Sequence, residues 1–368
     1  MFLVAGQAGA DSIDHGAQTR RDLGRRLAAL MGYAFGGDHR AGAAKQGPAY
    51  FIPSDTLLDG EARALGIRDE RDLFGGVVPH VFMTTKTISH PVIGPAARVP
   101  EGWSHTLGER IDRATLPGYS AFTPEDAQRA GERLLSLGDI RIKNGDGIGG
   151  TGQVVVSDHQ QLADAICALQ PADIHRHGVV VEHNLADPVT YSIGCLRIGE
   201  LTLAYHGTQR ETIDHQGRAV YGGSELTVVR GGFDALLKLP LLPEQRTAIE
   251  HACHYDEAVA QVYPGFFASR RNYDVVAGHD SAGVRRCGVL EQSWRIGGAS
   301  PAELAALMAL RADPALQHVR ASCHEIYSDE PPPPGATVHF RGHDADAGML
   351  CKYSLVEECG MAAERRAL

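Results

Sequence analysis

The segment 140–156 is the feature that most constrains what this chain can fold into. It reads IRIKNGDGIGGTGQVVV: a short strand up to Lys143, a loop with five glycines in the eight residues 145–152, and then three valines. Glycines allow positive φ and let backbone N–H groups approach a large ligand closely. Because N–H donors beside a lysine suit a polyphosphate, the segment predicts a strand–loop–strand hairpin that folds over a nucleotide.

Two commoner glycine motifs fit this segment less well. Gly145, Gly147 and Gly150 have the spacing of the dinucleotide fingerprint, but that motif needs a helix directly after the loop. The valines that follow favour a strand instead. A Walker A loop is excluded because no Gly-Lys-Ser/Thr closes the segment. Taken alone, the segment is equally compatible with a solvated hairpin that binds nothing.

Composition narrows the class of protein. A chain of 368 residues is too long for one compact core and predicts two or three lobes. The net charge of −10 argues against a nucleic-acid partner. The apolar start is too short for a signal peptide, and no apolar run is long enough to cross a bilayer. Seven scattered cysteines without a C-x-x-C pair indicate reduced thiols, so we expect a cytoplasmic protein.

Local patterns predict most of the helices. Residues 20–33 and 243–262 have helical patterns, and Thr123-Pro124 is a strong helix start for a helix to about residue 137. Ser54 and Asp55 are expected to cap the helix that follows them, with a ligand contact as the alternative. The polar, glycine-bearing region 207–230 is predicted to be a loop over an active site. Past residue 321 we expect short strands and a charged helical end.

Two further segments place acidic residues inside apolar strands. Residues 178–185 form an apolar run that ends in Glu182 and polar residues. Residues 273–276 and 288–295 form two arms around a predicted turn, and they carry Asp274 and Glu291 where acids are usually avoided. Each residue taken singly also fits a surface or salt-bridge role. Their fixed order along the chain favours a nucleotide site.

In that order these motifs resemble the ATP-grasp superfamily, and more closely a proteobacterial branch of it whose members are sometimes described as biotin-carboxylase-like. The branch is marked by 50–55, 269–274 and 288–300. The resemblance implies an α/β (α+β) chain with the ATP-grasp fold and an N-terminal pre-ATP-grasp α/β lobe. The implied domains are an N-terminal lobe (1–80), a small lobe with the glycine loop (81–178), a large lobe with the metal site (179–320), and C-terminal strands (321–368).

The resemblance also implies a role for each matching residue. The phosphates of ATP would contact Lys143, Lys86 and the glycine loop, including Gly147, Gly149 and Gly150. The adenine hinge would be Glu182, His183, Asn184 and Leu185. Mg²⁺, with Mn²⁺ as a substitute, would bind Asp274, Glu291 and Ser293, and Arg295 would meet the transferred phosphoryl group. Two carboxylates suffice for Mg²⁺ because phosphate oxygens and water complete its shell.

Two positions depart from the superfamily pattern. Ser293 stands where an asparagine metal ligand is usual, and Val189 or Thr190 stands where a ribose-binding acid is expected. Because of these departures, a nucleotide-binding regulator with degraded catalysis is an alternative function.

The resemblance implies a ligase in which ATP phosphorylates a carboxylate and an amine or similar nucleophile displaces the phosphate. The anionic substrate is expected to contact Arg210, Arg218, Ser224, Arg230 and Arg271, with Arg270 as a further contact. Bicarbonate activation, as in a biotin carboxylase, is the alternative reaction. The expected partners are small-molecule substrates and a second copy of the chain, with no nucleic acid and no membrane.

Overall fold

The computed structural model describes residues 1–5, 14–40, 47–147 and 152–361, with side chains to residue 357. The strands of the described residues, numbered in chain order, are β1 (Phe2–Val4), β2 (Phe51–Pro53), β3 (Leu57–Leu58), β4 (Gly76–Val78), β5 (Gly118–Ala121), β6 (Ile140–Asn144), β7 (Gln153–Val156), β8 (Val179–His183), β9 (Ala186–Ile198), β10 (Leu201–Ile213), β11 (Ala219–Arg230), β12 (Phe267–Ala268), β13 (Arg270–His279), β14 (Arg285–Ser293), β15 (Leu316–Ile326), β16 (Thr337–Asp344) and β17 (Gly348–Met361). The helices are α1 (His15–Met31), α2 (Asp59–Leu65), α3 (His105–Ile111), α4 (Pro124–Leu135), α5 (His159–Ala168), α6 (Pro171–His177), α7 (Phe233–Leu236), α8 (Pro243–Val262) and α9 (Ser300–Ala312), with 3₁₀ turns at Val81–Thr84, Lys86–Ser89 and Asp112–Ala114.

An eight-stranded antiparallel sheet forms the centre of the molecule. Its strand order is β14-β13-β9-β10-β11-β15-β17-β16. Helix α8 packs on β9, β13 and β14, whereas α9 packs on β11, β15 and β17. The aromatic side chain of Tyr273 lies in the first of these two cores and that of Tyr205 in the second. The sheet is therefore covered by helices over much of its area, and its remaining polar positions are free to line a cleft.

A four-stranded antiparallel sheet carries the glycine hairpin. Its order is β5-β8-β6-β7, and α4 and α5 pack against it. Thr123 caps α4 by accepting a hydrogen bond from the Asp126 N–H, and Pro124 is the first helical residue, as predicted. Strands β6 and β7 pair in antiparallel register from Ile140 to Lys143, which confirms the predicted hairpin. Its Gly149 and Gly150 lie outside the described residues.

The N-terminal segment forms two small sheets. Strands β1 and β2 are parallel, and β3 and β4 are parallel with β12 added from later in the chain. Helix α2 begins after Leu58, whose N–H donates to the Glu61 carboxylate. The prediction that Ser54 and Asp55 cap this helix is therefore wrong.

The predicted loop 207–230 is instead part of the central sheet. Strands β10 and β11 run through it as a hairpin with one bulge after Arg210. Its glycines mark close approaches between strands: a Cβ on Gly207 would lie 1.9 Å from the Glu225 carbonyl oxygen. The polar, glycine-bearing sequence predicts a loop, whereas in the structure these glycines permit tight strand pairing.

The C-terminal strands differ from the prediction in length. Strands β15, β16 and β17 have 11, 8 and 14 residues and extend the central sheet beyond β11. Residue 361 ends β17, so the predicted helical end does not begin there, and residues 362–368 lie outside the described residues. In the described part of the chain, no helix is long and apolar enough to span a bilayer.

Candidate active site

Two acidic residues face each other on neighbouring strands of the central sheet. Asp274 on β13 is paired in register with Glu291 on β14. Directly opposed residues in an antiparallel pair have their side chains close together on one face. The Lys86 ammonium lies 2.7 Å from a Glu291 carboxylate oxygen. The structure thus brings together two predicted metal ligands and one predicted phosphate lysine.

Hydrogen bonds hold the Asp274 carboxylate from two sides. The same Asp274 oxygen accepts from the Gln209 amide at 2.7 Å and from the Asn272 amide at 2.9 Å. Burial and the facing Glu291 nevertheless raise the pKa of Asp274 to about 6. Burial is the larger of these two causes, and a bound cation would offset the part that comes from the Glu291 charge.

Lys86 reaches this site because its segment is fastened to β14. The Gln292 amide donates to the carbonyls of Met83 and Thr85, both at 2.9 Å. The Lys86 backbone N–H in turn donates to the Gly145 carbonyl at 3.0 Å. These bonds place the metal-site strand, the Lys86 turn and the start of the glycine loop side by side.

Lys143 lies in a separate buried cluster. Its ammonium is 2.5 Å from one oxygen of Glu182, and the His90 Nε2 is 2.9 Å from the other oxygen. Lys143 and Glu182 are only 3% and 1% exposed. Burial alone would raise the pKa of Glu182, but the Lys143 and His90 charges outweigh it and hold the pKa at about 2. Glu182 is therefore ionised at neutral pH.

The predicted hinge follows Glu182 directly. The backbone N–H groups of His183 and Asn184 donate to the carbonyls of Pro117 and Asp139 at 3.0 and 2.9 Å. Of the three predicted hinge N–H groups, the one on Leu185 is thus left as the candidate adenine donor. Both ring nitrogens of His183 are buried and lack a hydrogen-bond partner within the described residues.

The glycine loop is tightly packed where it leaves β6. The Gly145 N–H donates to the Gly178 carbonyl at 3.0 Å, and the Gly147 N–H donates to the Asn144 carbonyl at 3.2 Å. A Cβ on Gly145 would lie 2.2 Å from the His177 carbonyl oxygen. These two N–H groups therefore already donate hydrogen bonds to backbone carbonyls of the protein.

A buried ion pair supports the loop that carries Ser293 and Arg295. The Arg270 guanidinium donates to the Glu303 carboxylate at 2.9 and 2.6 Å, and Tyr205 donates to the same carboxylate at 2.6 Å. Arg270 also donates to the carbonyls of Ser293, at 3.1 Å, and Arg295. Arg270 is therefore a positioning residue for this loop.

The cleft beside these residues has a volume of about 1090 Å³. Its lining includes these predicted site residues: Lys86, Gly145, Gly147, Ser224, Arg270, Asp274, Glu291, Ser293 and Arg295. It also includes residues that were not predicted to bind a ligand or metal, among them Arg176, His177, Gln209 and Asn272. Asp55 lines it as well, 3.9 Å from Arg295, which is the alternative that the sequence left open. Lys143 and the hinge residues are not among the lining residues.

Four of the predicted substrate arginines do not line this cleft. Arg218 pairs with Asp214 in the β10–β11 turn, and Arg230 donates to the carbonyls of Leu316 and Asp313. These two side chains therefore lie outside the cleft in which the substrate was expected to bind.

The remaining two arginines are displaced by strand geometry. Arg271 pairs with Asp256 at 3.2 Å because side chains alternate along β13, which puts it on the opposite face from Asn272 and Asp274. Arg210 contacts His324 on β15. Neither contact could be predicted without the strand register.

The residues that sequence reasoning missed are mostly the supporting ones. Asn272 and Gln209 orient Asp274, and His90 completes the pair of Glu182 with Lys143. Asn272 could have been recognised from the sequence, because it lies two residues before Asp274 and therefore on the same face of the strand. Gln209 and His90 come from distant segments and could not have been recognised in this way.

Comparison with known proteins identifies the family and the fold. A family profile described as "Protein of unknown function (DUF3182)" matches residues 3–354. A search of curated proteins returns no significant match.

Three solved structures are similar over nearly the whole chain. Biotin carboxylase from Campylobacter jejuni, in a β-γ-ATP complex, has a TM-score of 0.56 and 12% identity, covering 97% of this chain and 87% of its own. Carboxyaminoimidazole ribonucleotide synthase from Aspergillus clavatus, complexed with ATP, has a TM-score of 0.52 and 12% identity, covering 96% and 93%. Phosphoribosylamine–glycine ligase from Thermotoga maritima has a TM-score of 0.50 and 12% identity, covering 98% and 92%.

These structures confirm the predicted fold class. Because the family profile spans nearly all of its residues, the chain belongs to the DUF3182 family, and its fold is that of the ATP-grasp enzymes.

Proposed function

We propose that this protein is an ATP- and Mg²⁺-dependent ligase that activates a carboxylate as an acyl phosphate for attack by an amine or similar nucleophile. One observation carries the proposal: Asp274 and Glu291 face each other in register, in a cleft that also contains Lys86 and Arg295. Phosphoryl transfer needs charge neutralisation and positioning more than covalent help from the protein. The same fold in two structures described as ATP complexes supports the choice of nucleotide.

The donor set at the two acids fits Mg²⁺. Asp274 and Glu291 supply two carboxylates and Ser293 supplies a hydroxyl, and Mg²⁺ binds through one or two carboxylates together with phosphate oxygens and water. The charge of Glu291 adds to burial in raising the pKa of Asp274, and such a cation would neutralise the two facing carboxylates. When bound, the metal would neutralise charge on the β- and γ-phosphates. Mn²⁺ prefers the same oxygen ligands.

The basic residues would act on the phosphates and the acceptor. Lys86 already lies at the acids and would pair with a phosphate in place of Glu291. Lys143 is paired with Glu182, and its ammonium group has further N–H donors that could contact a phosphate. The Arg295 guanidinium would stabilise negative charge on the acceptor and on the transferred group.

The proposed step balances without another reactant. An oxygen of the acceptor carboxylate attacks the γ-phosphorus, the bond from that phosphorus to the bridging oxygen breaks, and ADP leaves. The nucleophile then attacks the acyl carbon, inorganic phosphate leaves, and the proton that the amine loses passes to the phosphate or to water.

Trapping with hydroxylamine tests this proposal. The protein is incubated with ATP, Mg²⁺, hydroxylamine and pools of carboxylates, and ADP and hydroxamate are measured. We expect both products from at least one pool. Glu291→Gln should lower the rate about 100-fold or more because it removes a charge from the metal site, whereas Glu257→Gln, exposed on α8, should not change it.

Other outcomes support the alternatives. Phosphate release that requires both bicarbonate and free biotin would favour a biotin-carboxylase-like reaction, for which the shared position of Glu291 and Arg295 in the cleft is the favouring observation. Tight binding of ATP without ADP from any pool would contradict the ligase. It would favour a nucleotide-binding regulator, consistent with two lysines that are already paired with Glu291 and Glu182.

A further inference from the structure

A second, smaller cavity continues from the cleft beyond Arg295. It has a volume of about 170 Å³. Arg295, Gly297, Gly298 and Glu325 line both spaces, so the two are adjacent. We refer to this smaller cavity as the recess. A cavity of this volume has room for a small polar group such as a carboxylate.

The walls of the recess come from distant parts of the chain. Helix α1 contributes Arg20 and Thr19, and strands β15 and β17 contribute Glu325 and Lys352. None of these residues was singled out by the sequence motifs, because helix α1 and strands β15 and β17 meet only in the folded chain.

The charges of these walls leave a positive excess. Glu325 and Lys352 neutralise each other through a contact of 2.8 Å. Burial lowers the pKa of His324, which favours its neutral form. The Arg20 side chain makes no ion pair or hydrogen bond with any residue that the structure describes. Arg295 donates to the Ile296 carbonyl at 3.0 Å and has the Asp55 carboxylate at 3.9 Å. The two arginines are therefore the charges that a ligand in the recess would meet.

Arg20 and Arg295 line the same recess, so their like charges act on each other. Burial is the main cause that lowers the pKa of Arg295; the charges of Arg270 and Arg20 add to the lowering, and those of Asp55 and Glu291 oppose it. Two guanidinium groups that share a cavity are stabilised when an anion lies there, because each donates to its oxygens in a fixed fork geometry.

We propose that the recess binds a second anionic group of the acceptor substrate, so that the acceptor is a small dicarboxylate or an equivalent dianion. One carboxylate lies at Arg295 on the cleft side, where it is activated, and the other lies in the recess at Arg20. The proposal rests on the ligase function above and specifies its substrate class. Because Arg20 contacts the group that does not react, it is a specificity residue and not a catalytic one.

Isothermal titration calorimetry with four probes tests this proposal. Butyrate, succinate, glutarate and 4-aminobutyrate are titrated into the full chain, once with Mg²⁺ and β,γ-imido-ATP and once without nucleotide. We expect succinate or glutarate to bind about tenfold or more tightly than butyrate, since a charge-assisted hydrogen bond contributes that much. Arg20→Gln should remove the preference, and the control Arg25→Gln, exposed on the same helix, should keep it.

Three results would overturn the proposal. The first is equal binding of butyrate and both dicarboxylates, or no binding of any. The second is a preference for 4-aminobutyrate, which would mean that the recess binds an ammonium group through Glu325. The third is a dicarboxylate preference that survives in Arg20→Gln although the variant is folded by circular dichroism.

Failure of the ligase function is detected separately, as the absence of ADP and hydroxamate in the trapping experiment above. If β,γ-imido-ATP does not bind, the nucleotide site is wrong, while the titrations without nucleotide still report whether the recess selects a dianion. If the nucleotide binds and the dicarboxylate preference is missing, the substrate class alone is wrong.

Discussion

At the scale of single residues, Glu182 is a buried carboxylate whose negative charge is stabilised by Lys143 and His90. Its folded pKa of about 2 lies below the ordinary value of 4.5, so its ionised form stabilises the fold above pH 4.5, and this stabilisation is lost as the pH falls towards 2. The Glu182→Gln variant has no ionisable group at this position and therefore lacks this pH-dependent stabilisation. We therefore expect the difference in unfolding free energy between wild type and Glu182→Gln to shrink by about 2 kcal/mol between pH 6 and pH 3.

Urea titrations at each pH measure this difference. The matched control is Glu200→Gln, which changes an exposed carboxylate at the β9–β10 turn and should keep a constant difference from wild type. A Glu182→Gln difference that does not change with pH would show that Lys143 and His90 do not hold the Glu182 charge.

At the scale of elements, the glycine hairpin depends on one close approach. A Cβ on Gly145 would lie 2.2 Å from the His177 carbonyl oxygen and 2.7 Å from that of Gly178, and both are backbone atoms that cannot rotate away. We expect Gly145→Ala to cost about 1–3 kcal/mol of unfolding free energy and to weaken nucleotide binding, because the Gly145 carbonyl also anchors Lys86. Gly60→Ala is the control.

The two glycine variants should change the free energy of unfolding in opposite directions. Gly60 lies in α2 with open space around it, so alanine there should stabilise the protein by up to about 1 kcal/mol. Thermal unfolding and fluorescence titration with a labelled ATP analogue measure the two effects. Equal stability of Gly145→Ala and wild type would contradict this account of the hairpin.

At the scale of the whole molecule, the pair of Arg270 with Glu303 joins the central sheet to α9. Both side chains are buried, and Arg270 also holds the carbonyls of Ser293 and Arg295. Glu303→Gln would leave the guanidinium buried without its counter-charge, so we expect a loss of about 3–5 kcal/mol of unfolding free energy. Asp59→Asn, which breaks the exposed pair with Arg63, should cost about 0.5 kcal/mol or less.

Chemical denaturation separates these two variants. A small loss in Glu303→Gln, similar to that in Asp59→Asn, would mean that the fold tolerates an unpaired Arg270. The supporting role that we assign to this ion pair would then be wrong.

The sequence by itself determined the features that depend on near neighbours. Helix α8 runs from Pro243 to Val262 as predicted, and α4 begins at its predicted Thr123 cap. The hairpin of β6 and β7 was predictable because strand periodicity and turn glycines act within a few residues. The same holds for Asp274 and Glu291, which a single short turn brings face to face.

Only the tertiary structure decided which distant residues meet. The face on which Arg271 lies and the pairing of Lys143 with Glu182 follow from strand register. The contact of His90 with Glu182 and the inclusion of 207–230 in the sheet follow from the packing of segments that are distant in sequence. Register is a long-range property, since one residue of slip moves every side chain to the opposite face. For the same reason the recess formed by α1, β15 and β17 could not be recognised until the chain was folded.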